Sequence, residues 1–313
     1  MSEIPERIRE MAAQREEARR RRDFAGADAI RDRIRAAGFE IVDAPDGSPV
    51  LSPVEEPRRR RFRGSAEVPR AEPDPEVDCS VVWLTESWPG DVGRGIASFR
   101  RHHSRLRVQH VVVVTDGAGA GWPEDVEVID VDPSVGWSAL RNAGLRRAAG
   151  RIVAIADGSI EAEGDVLTAL AAALDDPSVG LAGPFGVVSR DLREFQESPG
   201  PDVDAIEAYL IAGRRDVLGD RIRFDERFMF YRSADLELSF QAKALGLRCV
   251  VVPGPVGRHV HRTWEATPDH ERRRLSKRNF YRFLDRWRSR SDLLEANGRG
   301  SRRDGIGEPP GRP

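Results

Sequence analysis

The sequence of 313 residues has few cysteines, no long apolar segment and no excess of charge of one sign. Its two cysteines, Cys79 and Cys249, lack the spacing of zinc ligands and lie beside valine-rich segments, which predicts buried, reduced thiols. No apolar run approaches the roughly 20 residues that span a bilayer, and charged side chains occur throughout the N-terminal segment. We therefore expect a soluble cytoplasmic protein without a transmembrane segment.

Positive and negative side chains are nearly balanced. Lys and Arg number 50 and Asp and Glu number 52, which gives a formal net charge of -2. This balance argues against a protein that binds nucleic acid over its whole surface, and it leaves only local basic patches. One such patch, residues 58–63, lies in a proline-rich stretch over residues 46–76. That composition buries too little apolar surface to fold, so we predict a disordered linker there and a disordered tail over residues 291–313.

The N-terminal segment, residues 1–45, carries apolar side chains at helical spacing. The spacing predicts a hairpin of two helices over residues 4–37. Residues 15–50, which begin REEARRRRDF and end PDGSPV, resemble the C-terminal helical region of cysteinyl-tRNA synthetases. The resemblance implies tRNA as a partner, because that region lies at the anticodon-binding end of those enzymes. The residues alone suit equally a solvated helical pair used for packing or for protein contact.

From residue 77 onwards, short apolar strands alternate with helical segments, which is typical of an α/β fold with a mostly parallel sheet flanked by helices. We predict one domain over residues 77–290, with loops such as residues 184–220 that set its ligand specificity. Six strands are predicted at residues 80–84, 110–115, 126–131, 152–156, 179–182 and 248–252, and five helices at residues 93–102, 137–149, 164–174, 235–245 and 271–287.

Polar side chains follow three of the predicted strands. Thr85 and Glu86 come after the first strand, Asp116 after the second and Asp157 after the fourth. In open α/β sheets, ligands bind in the crevice beyond the carboxyl ends of the strands. Carboxylates there suit a nucleotide or its metal ion. Arg141, near the start of a predicted helix, suits a phosphate-bearing ligand.

One stretch of this domain resembles the donor-binding part of family 2 glycosyltransferases. It is residues 136–159, GWSALRNAGLRRAAGRIVAIADGS, and the resemblance extends over about residues 77–290. It implies a nucleotide-diphospho-sugar transferase fold of the GT-A type and inverting transfer of a sugar to an acceptor hydroxyl, on an unknown glycan or small molecule. It also implies that Asp116 contacts the nucleobase and that Asp157 holds the metal-bound diphosphate.

The metal motif departs from the family pattern, which has two aspartates one residue apart, whereas this chain has Asp157-Gly158-Ser159. A serine hydroxyl is a weaker ligand for a hard cation than a carboxylate. A manganese or magnesium site here is therefore weaker, completed by another residue, or absent. The resemblance implies a histidine that helps to bind the metal–diphosphate unit after the last strand, where His259 and His261 lie. Residues two apart on an extended segment point the same way, so both are candidate ligands.

The best match for a catalytic base is Asp235. The segment that contains it resembles the family segment that ends in a Glu-Asp pair and opens a helix, and the resemblance implies that Asp235 is the general base. The family's glutamate is Ala234 here, and Gln241 stands where many members carry arginine. A helix N-terminus favours the ionised form of the aspartate, and the same position suits a helix cap.

Three other hypotheses stay open. Ser159 and Ala234 fit a degenerate transferase that binds nucleotide sugar or glycan without turnover. The N-terminal segment fits a tRNA-associated protein. A nucleotidyltransferase would need a basic, glycine-rich loop after the first strand, and residues 88–91, WPGD, offer no lysine there.

Overall fold

The computed structural model describes residues 4–37, 39–44, 48–53, 60–102, 105–115 and 121–298. The chain divides into two compact units, Met1–Arg58 and Arg59–Pro313. Within the described ranges, none of the helices combines the length and the apolar composition needed to cross a bilayer.

The N-terminal unit contains the two predicted helices, α1 (Glu6–Arg20) and α2 (Phe24–Ala36), followed by the antiparallel strands β1 (Phe39–Asp43) and β2 (Pro49–Pro53). Asp23 caps α2, because its carboxylate accepts a hydrogen bond of 2.9 Å from the amide of Gly26. The Asp46-Gly47 pair, whose residue types are typical of turns, lies outside the described residues. A small core holds the unit together, and it consists of Ile8, Met11, Ala12, Ile34 and Ile41.

The second unit is built on a nine-stranded sheet with helices on both faces. The strands of this unit include the nine of the large sheet and those of two smaller sheets. They are β3 (Arg61–Phe62), β4 (Cys79–Leu84), β5 (Val108–Val114), β6 (Val126–Val131), β7 (Ile152–Ala156), β8 (Ile160–Ala162), β9 (Val179–Gly183), β10 (Gly186–Ser189), β11 (Phe195–Ser198), β12 (Asp202–Val203), β13 (Ala205–Ile206), β14 (Leu210–Arg214), β15 (Arg248–Val251) and β16 (Val256–Arg258). Its helices are α3 (Pro89–His102), α4 (Trp137–Leu145), α5 (Val166–Ala173), α6 (Ala234–Ala244), α7 (Arg262–Ala266), α8 (Asp269–Trp287) and α9 (Glu295–Gly298). Short 3-10 turns lie at Ser65–Glu67, Pro133–Val135 and Ser291–Leu293.

The strand order of the large sheet is β12-β15-β9-β14-β7-β4-β5-β6-β3. Strands β7, β4, β5, β6 and β3 are parallel to one another, and β15 is parallel to β9. Strand β14 runs antiparallel between β7 and β9, and β12 runs antiparallel at the edge. The prediction of an α/β fold with a mostly parallel sheet is therefore confirmed.

Strands β4 and β7 lie at the centre of the sheet and are covered on both faces. Every residue of both strands is buried, which explains why they appear in the sequence as continuous apolar runs. Helix α4 packs very closely on one face. A Cβ atom at Gly144 would lie 2.3 Å from Cγ1 of Val82, so only glycine allows this approach.

Three segments differ from the sequence-based expectation. Residues 61–62, inside the predicted linker, form β3 and extend the large sheet, with Arg61 Nε 3.1 Å from the carboxylate of Asp130. Residues 291–298, inside the predicted tail, pack on the unit through the fully buried Leu294. Strand β14 occupies the middle of the sheet, inside the predicted loops over residues 184–220. Composition averaged over a window misses such short elements, because long-range contacts stabilise them.

Candidate active site

Two polar segments meet at the carboxyl ends of β4 and β7. Because these strands are parallel neighbours, Glu86 and Asp157 emerge at the same edge of the sheet. His261 joins them from the start of α7, with its Nε2 atom 3.5 Å from Oδ2 of Asp157. One ligand atom from each of the three side chains lies within 4.8 Å of the other two. These three residues, here called the acidic cluster, form a candidate metal site.

The side chains around Asp157 fix its orientation. The Ser159 hydroxyl and amide donate hydrogen bonds of 2.5 and 2.8 Å to Oδ1 of Asp157. Ser159, at the position of the family's second aspartate, therefore contacts the first aspartate directly. Thr263 donates a hydrogen bond of 2.7 Å to Oε2 of Glu86.

A buried cation lies directly behind the acidic cluster. Arg141, on α4, is completely buried, and its Nη1 atom donates a hydrogen bond of 2.8 Å to the carbonyl of Ala156. Its Nη2 atom lies 3.5 Å from Oδ2 of Asp157, and its guanidinium lies 5.0 Å from the ring centroid of Trp137. Among the described residues, Nε and Nη2 have no hydrogen-bond partner, so part of the donor capacity of Arg141 is unused.

The charges in the acidic cluster shift one another's pKa. Burial alone would raise the pKa of Asp157, but His261, Arg141 and Ser159 together outweigh burial and lower it to about 2. Burial and the charge of Asp157 raise the pKa of Glu86. Burial disfavours protonated His261, yet its hydrogen bond to Asp157 gives a net rise in the pKa of the imidazole. Asp157 is therefore ionised at neutral pH, as a metal ligand must be.

Asp157 and Asp235 line the same cavity, which has a volume of about 180 Å³. Asp235 lies in the first turn of α6, where its carboxylate accepts hydrogen bonds from the amides of Leu236 (2.9 Å) and Ala208 (3.3 Å). Burial raises the pKa of Asp235. His261 also lines the cavity, so Asp157 and His261 of the acidic cluster face the same cavity as Asp235.

The remaining predicted residues have different outcomes. The hydroxyl of Thr85 is buried and, among the described residues, makes no hydrogen bond. Asp116 lies outside the described residues. His259 is separate from the acidic cluster, because its Nε2 atom lies 3.1 Å from Glu161 and half of its side chain is exposed. The extended chain ends at His261, which caps α7, so the two histidines do not act as a pair.

The cavity contains three side chains that were not predicted from the sequence, Glu207, Tyr209 and Tyr231. The ring of Tyr231 stacks on His261, with centroids 4.3 Å apart. Tyr209 accepts a backbone hydrogen bond of 3.0 Å from the amide of Asp157, since the pairing of β14 with β7 brings them together. The pKa of Glu207 is raised to about 7, mainly by burial and then by the charge of Asp235.

No protein-family model matches this chain. Short matches occur with cysteine–tRNA ligases. The ligase of Nocardioides sp. (strain ATCC BAA-499 / JS614) is 52% identical over 40 residues, which is 13% of this chain and 8% of the ligase. The ligase of Chlamydia pneumoniae is 47% identical over 47 residues, which is 15% of this chain and 10% of the ligase. The chain thus spans about a tenth of the length of these curated relatives.

The second comparison is with solved structures. GalNAc-T7, crystallised with UDP, GalNAc and Mn2+, superimposes with a TM-score of 0.56 and 14% identity, over 70% of this chain and 49% of that one. Residues 1–349 of S. aureus TarS give a TM-score of 0.45 and 16% identity, over 70% and 75% of the two chains. The chain thus spans about half the length of GalNAc-T7. The fold resembles that of the GT-A-type glycosyltransferases.

Proposed function

We propose that this protein is a glycosyltransferase that moves a sugar from a nucleotide-diphospho-sugar to an acceptor hydroxyl with inversion. The observation that carries this proposal is the single cavity that Asp157, His261 and Asp235 share. It lies beyond the carboxyl ends of parallel strands, where ligands bind in open α/β sheets. The GT-A-type fold and the resemblance of residues 77–290 to family 2 enzymes support the same conclusion.

The donor side of the proposed site contains Thr85, Glu86, Arg141 and Asp157, with Asp116 as the proposed contact to the nucleobase. Arg141 has unused donor atoms beside Asp157. It holds a permanent positive charge there, because guanidinium groups do not deprotonate in proteins. That charge keeps Asp157 ionised, and it offsets part of the negative charge that the leaving diphosphate gathers.

The acidic cluster fits a divalent cation. Two carboxylates and one imidazole nitrogen within 4.8 Å of one another form a donor set that suits Mn2+ or Mg2+. Asp157, His261 and Glu86 would hold the ion, and Ser159 would orient Asp157 instead of binding the metal. When bound, such a cation would neutralise charge on the diphosphate.

On the acceptor side, we assign Asp235 as the general base. Its carboxylate removes the proton from the acceptor hydroxyl, and the resulting oxygen attacks the anomeric carbon of the donor sugar. The bond from that carbon to the diphosphate breaks, and the diphosphate leaves with the electron pair. A positioned base contributes about 10² to 10⁴ in rate.

A thermal-shift screen of the full chain tests this function. UDP, GDP, ADP, CDP and dTDP, each with and without Mn2+, are added separately. We expect one or two of them to raise the melting temperature, and the matching nucleotide sugars to be consumed when an acceptor mixture is supplied. Binding without consumption of any donor would instead support the degenerate transferase. The absence of any shift would contradict the transferase proposal and leave only a degenerate module that binds glycan.

The short ligase matches support a second, independent proposal, that the N-terminal unit binds tRNA. Binding of tRNA by the full chain should then weaken steeply with salt, because contacts to phosphates release counterions. Equal binding of tRNA and of a DNA duplex of similar length would contradict specific recognition of tRNA.

A further inference from the structure

A surface groove adjoins the cavity of the candidate active site. It is a groove of about 930 Å³ between α8 and the segment that follows β10, here called the α8 groove. Phe195, Arg232, Ser233 and Leu236 line both the α8 groove and the cavity that holds Asp235. Because the cavity and the α8 groove share this wall, a long ligand that is bound beside Asp235 can extend into the α8 groove.

The α8 groove is basic. Arg193, Arg232, Lys277 and Arg288 line it. In the described part of the chain, no salt bridge ties any of these four to a carboxylate. Arg232 lies over the ring of Trp264, at 5.6 Å from its centroid.

The groove has two acidic side chains, Asp191 and Asp285. The Asp191 carboxylate accepts hydrogen bonds from the amides of Arg193 (2.8 Å) and Glu194 (3.1 Å). Of the two carboxylates, that of Asp191 is therefore already hydrogen-bonded to backbone amides. The four basic side chains outnumber the two acidic ones and remain available to a ligand.

The same groove offers aromatic surface on a rigid support. Tyr281 is 54% exposed and Phe280 is half-buried, and both line the groove. Helix α8 is held in place by Asn279, whose amide donates hydrogen bonds to the carbonyls of Phe230 (2.7 Å) and Arg232 (3.0 Å). These bonds join α8 to the segment that leads to Asp235, so the groove and the proposed base keep a fixed relation.

We propose that the α8 groove binds the outer part of the acceptor, and that this acceptor is a glycan chain with negatively charged groups, carboxylate or phosphate. This inference rests on the proposed transferase function. Aromatic rings stack on the apolar faces of sugars, and fixed cations attract their acidic groups. A neutral chain would leave the four cations of the groove without a salt-bridge partner. The acceptor hydroxyl would reach Asp235 while the units behind it lie along α8.

Binding by the full chain tests the inference, with an oligogalacturonate hexamer as the acidic probe and maltohexaose as the neutral one. Isothermal titration calorimetry at 50 and 300 mM NaCl compares the wild type with the double variant Lys277→Gln and Arg288→Gln. Arg278→Gln is the matched control, because Arg278 is an exposed cation on the same helix that does not line the groove. Vesicles of phosphatidylcholine with phosphatidylglycerol form a separate arm.

We expect the hexamer to bind more tightly than maltohexaose, and to bind more weakly at the higher salt concentration. The double variant should weaken hexamer binding roughly two- to thirtyfold, whereas Arg278→Gln should leave it unchanged. Equal binding of both oligosaccharides, binding of neither, or equal effects of the two variants would overturn the inference. Binding of the vesicles alone, lost in the double variant, would also overturn it in favour of a lipid surface.

Nucleotide binding separates this inference from the proposed function. Thermal shifts with UDP and GDP should be the same in the wild type, the double variant and the control. A nucleotide shift without preference for the acidic hexamer would remove the acceptor inference and leave the transferase proposal. Hexamer binding with the predicted variant effects, but without any nucleotide shift, would remove the transferase proposal and leave the α8 groove as a binding site for acidic glycans.

Discussion

The guanidinium of Arg141 lies 3.5 Å from the carboxylate of Asp157, and both side chains are almost completely shielded from water. This ion pair joins α4 to the end of β7. On the same helix, Gly144 lets α4 pack tightly on the sheet. The pair therefore links the packing of the core to the charge of the candidate site.

Breaking this pair should destabilise the second unit. We expect Arg141→Met to lower the free energy of unfolding by roughly 3–5 kcal/mol, because Asp157 would remain as a buried charge without its cation. Adding Asp157→Asn should restore part of the loss. Urea denaturation followed by tryptophan fluorescence measures this, since all six tryptophans belong to the second unit. A single variant as stable as the wild type would show that the pair contributes nothing.

Asp235→Asn should abolish transfer and keep donor binding. The amide cannot accept the acceptor proton, so we expect turnover to fall about 10² to 10⁴-fold, with nucleotide affinity nearly unchanged. The measurement is the rate of nucleotide-diphosphate release with the donor that the screen identifies. Asp175→Asn, an exposed aspartate that pairs with Arg151, is the control. Normal turnover of Asp235→Asn would eliminate the assigned base.

Stability should depend on pH through Glu207. Its pKa is raised from 4.5 to about 7, so the folded state binds its proton more tightly than the unfolded state does. The group therefore reduces the free energy of unfolding as pH rises from about 4.5 to about 7, and the effect then levels off. In Glu207→Gln, the free energy of unfolding should no longer include this decrease between about pH 4.5 and 7.

Glu197→Gln is the control for this pH effect, because Glu197 faces the same Arg258 but is exposed. Urea denaturation at several pH values between 4.5 and 8 gives the two profiles. If the profile of Glu207→Gln parallels that of the wild type, the assigned titration is not that of Glu207.

A divalent cation should stabilise the protein through the acidic cluster. We expect Mn2+ to raise the melting temperature of the wild type but not that of His261→Gln, which lacks one proposed ligand. His259→Gln should respond like the wild type, because His259 pairs with Glu161 outside the cluster. The reverse pattern for the two histidine variants would contradict the ligand assignment.

The central strands were predictable from the sequence, because β4 and β7 are buried on both faces and are mostly apolar. The convergence of Asp157 and Glu86 was also predictable, since parallel strands end at one edge of the sheet. Strand β14 was not, because a short antiparallel insertion is specified by its pairing with two strands that are distant in the sequence, β7 and β9. Its register with β7 brings Tyr209 to Asp157. Because this strand pairing was not predicted, the contribution of Tyr209 to the cavity wall was not predicted either.

Local pattern also failed for the histidines. Alternation on an extended segment predicted that His259 and His261 face one way, but a helix begins directly after His261 and the chain turns there. The role of Ser159 was similarly hidden, because its bond to Asp157 depends on the turn geometry after β7 and not on residue type. In both cases, the path of the backbone after a strand determines which side chains are in contact, and residue type alone does not predict that path.

The most direct test of the account is diffraction from crystals grown with Mn2+ and the nucleotide diphosphate that the screen selects. The account predicts an anomalous Mn2+ peak bonded to Asp157, with the diphosphate in the cavity between Arg141 and Asp235. A nucleotide bound on another surface, with the cavity beside Asp157 free of it, would contradict the account.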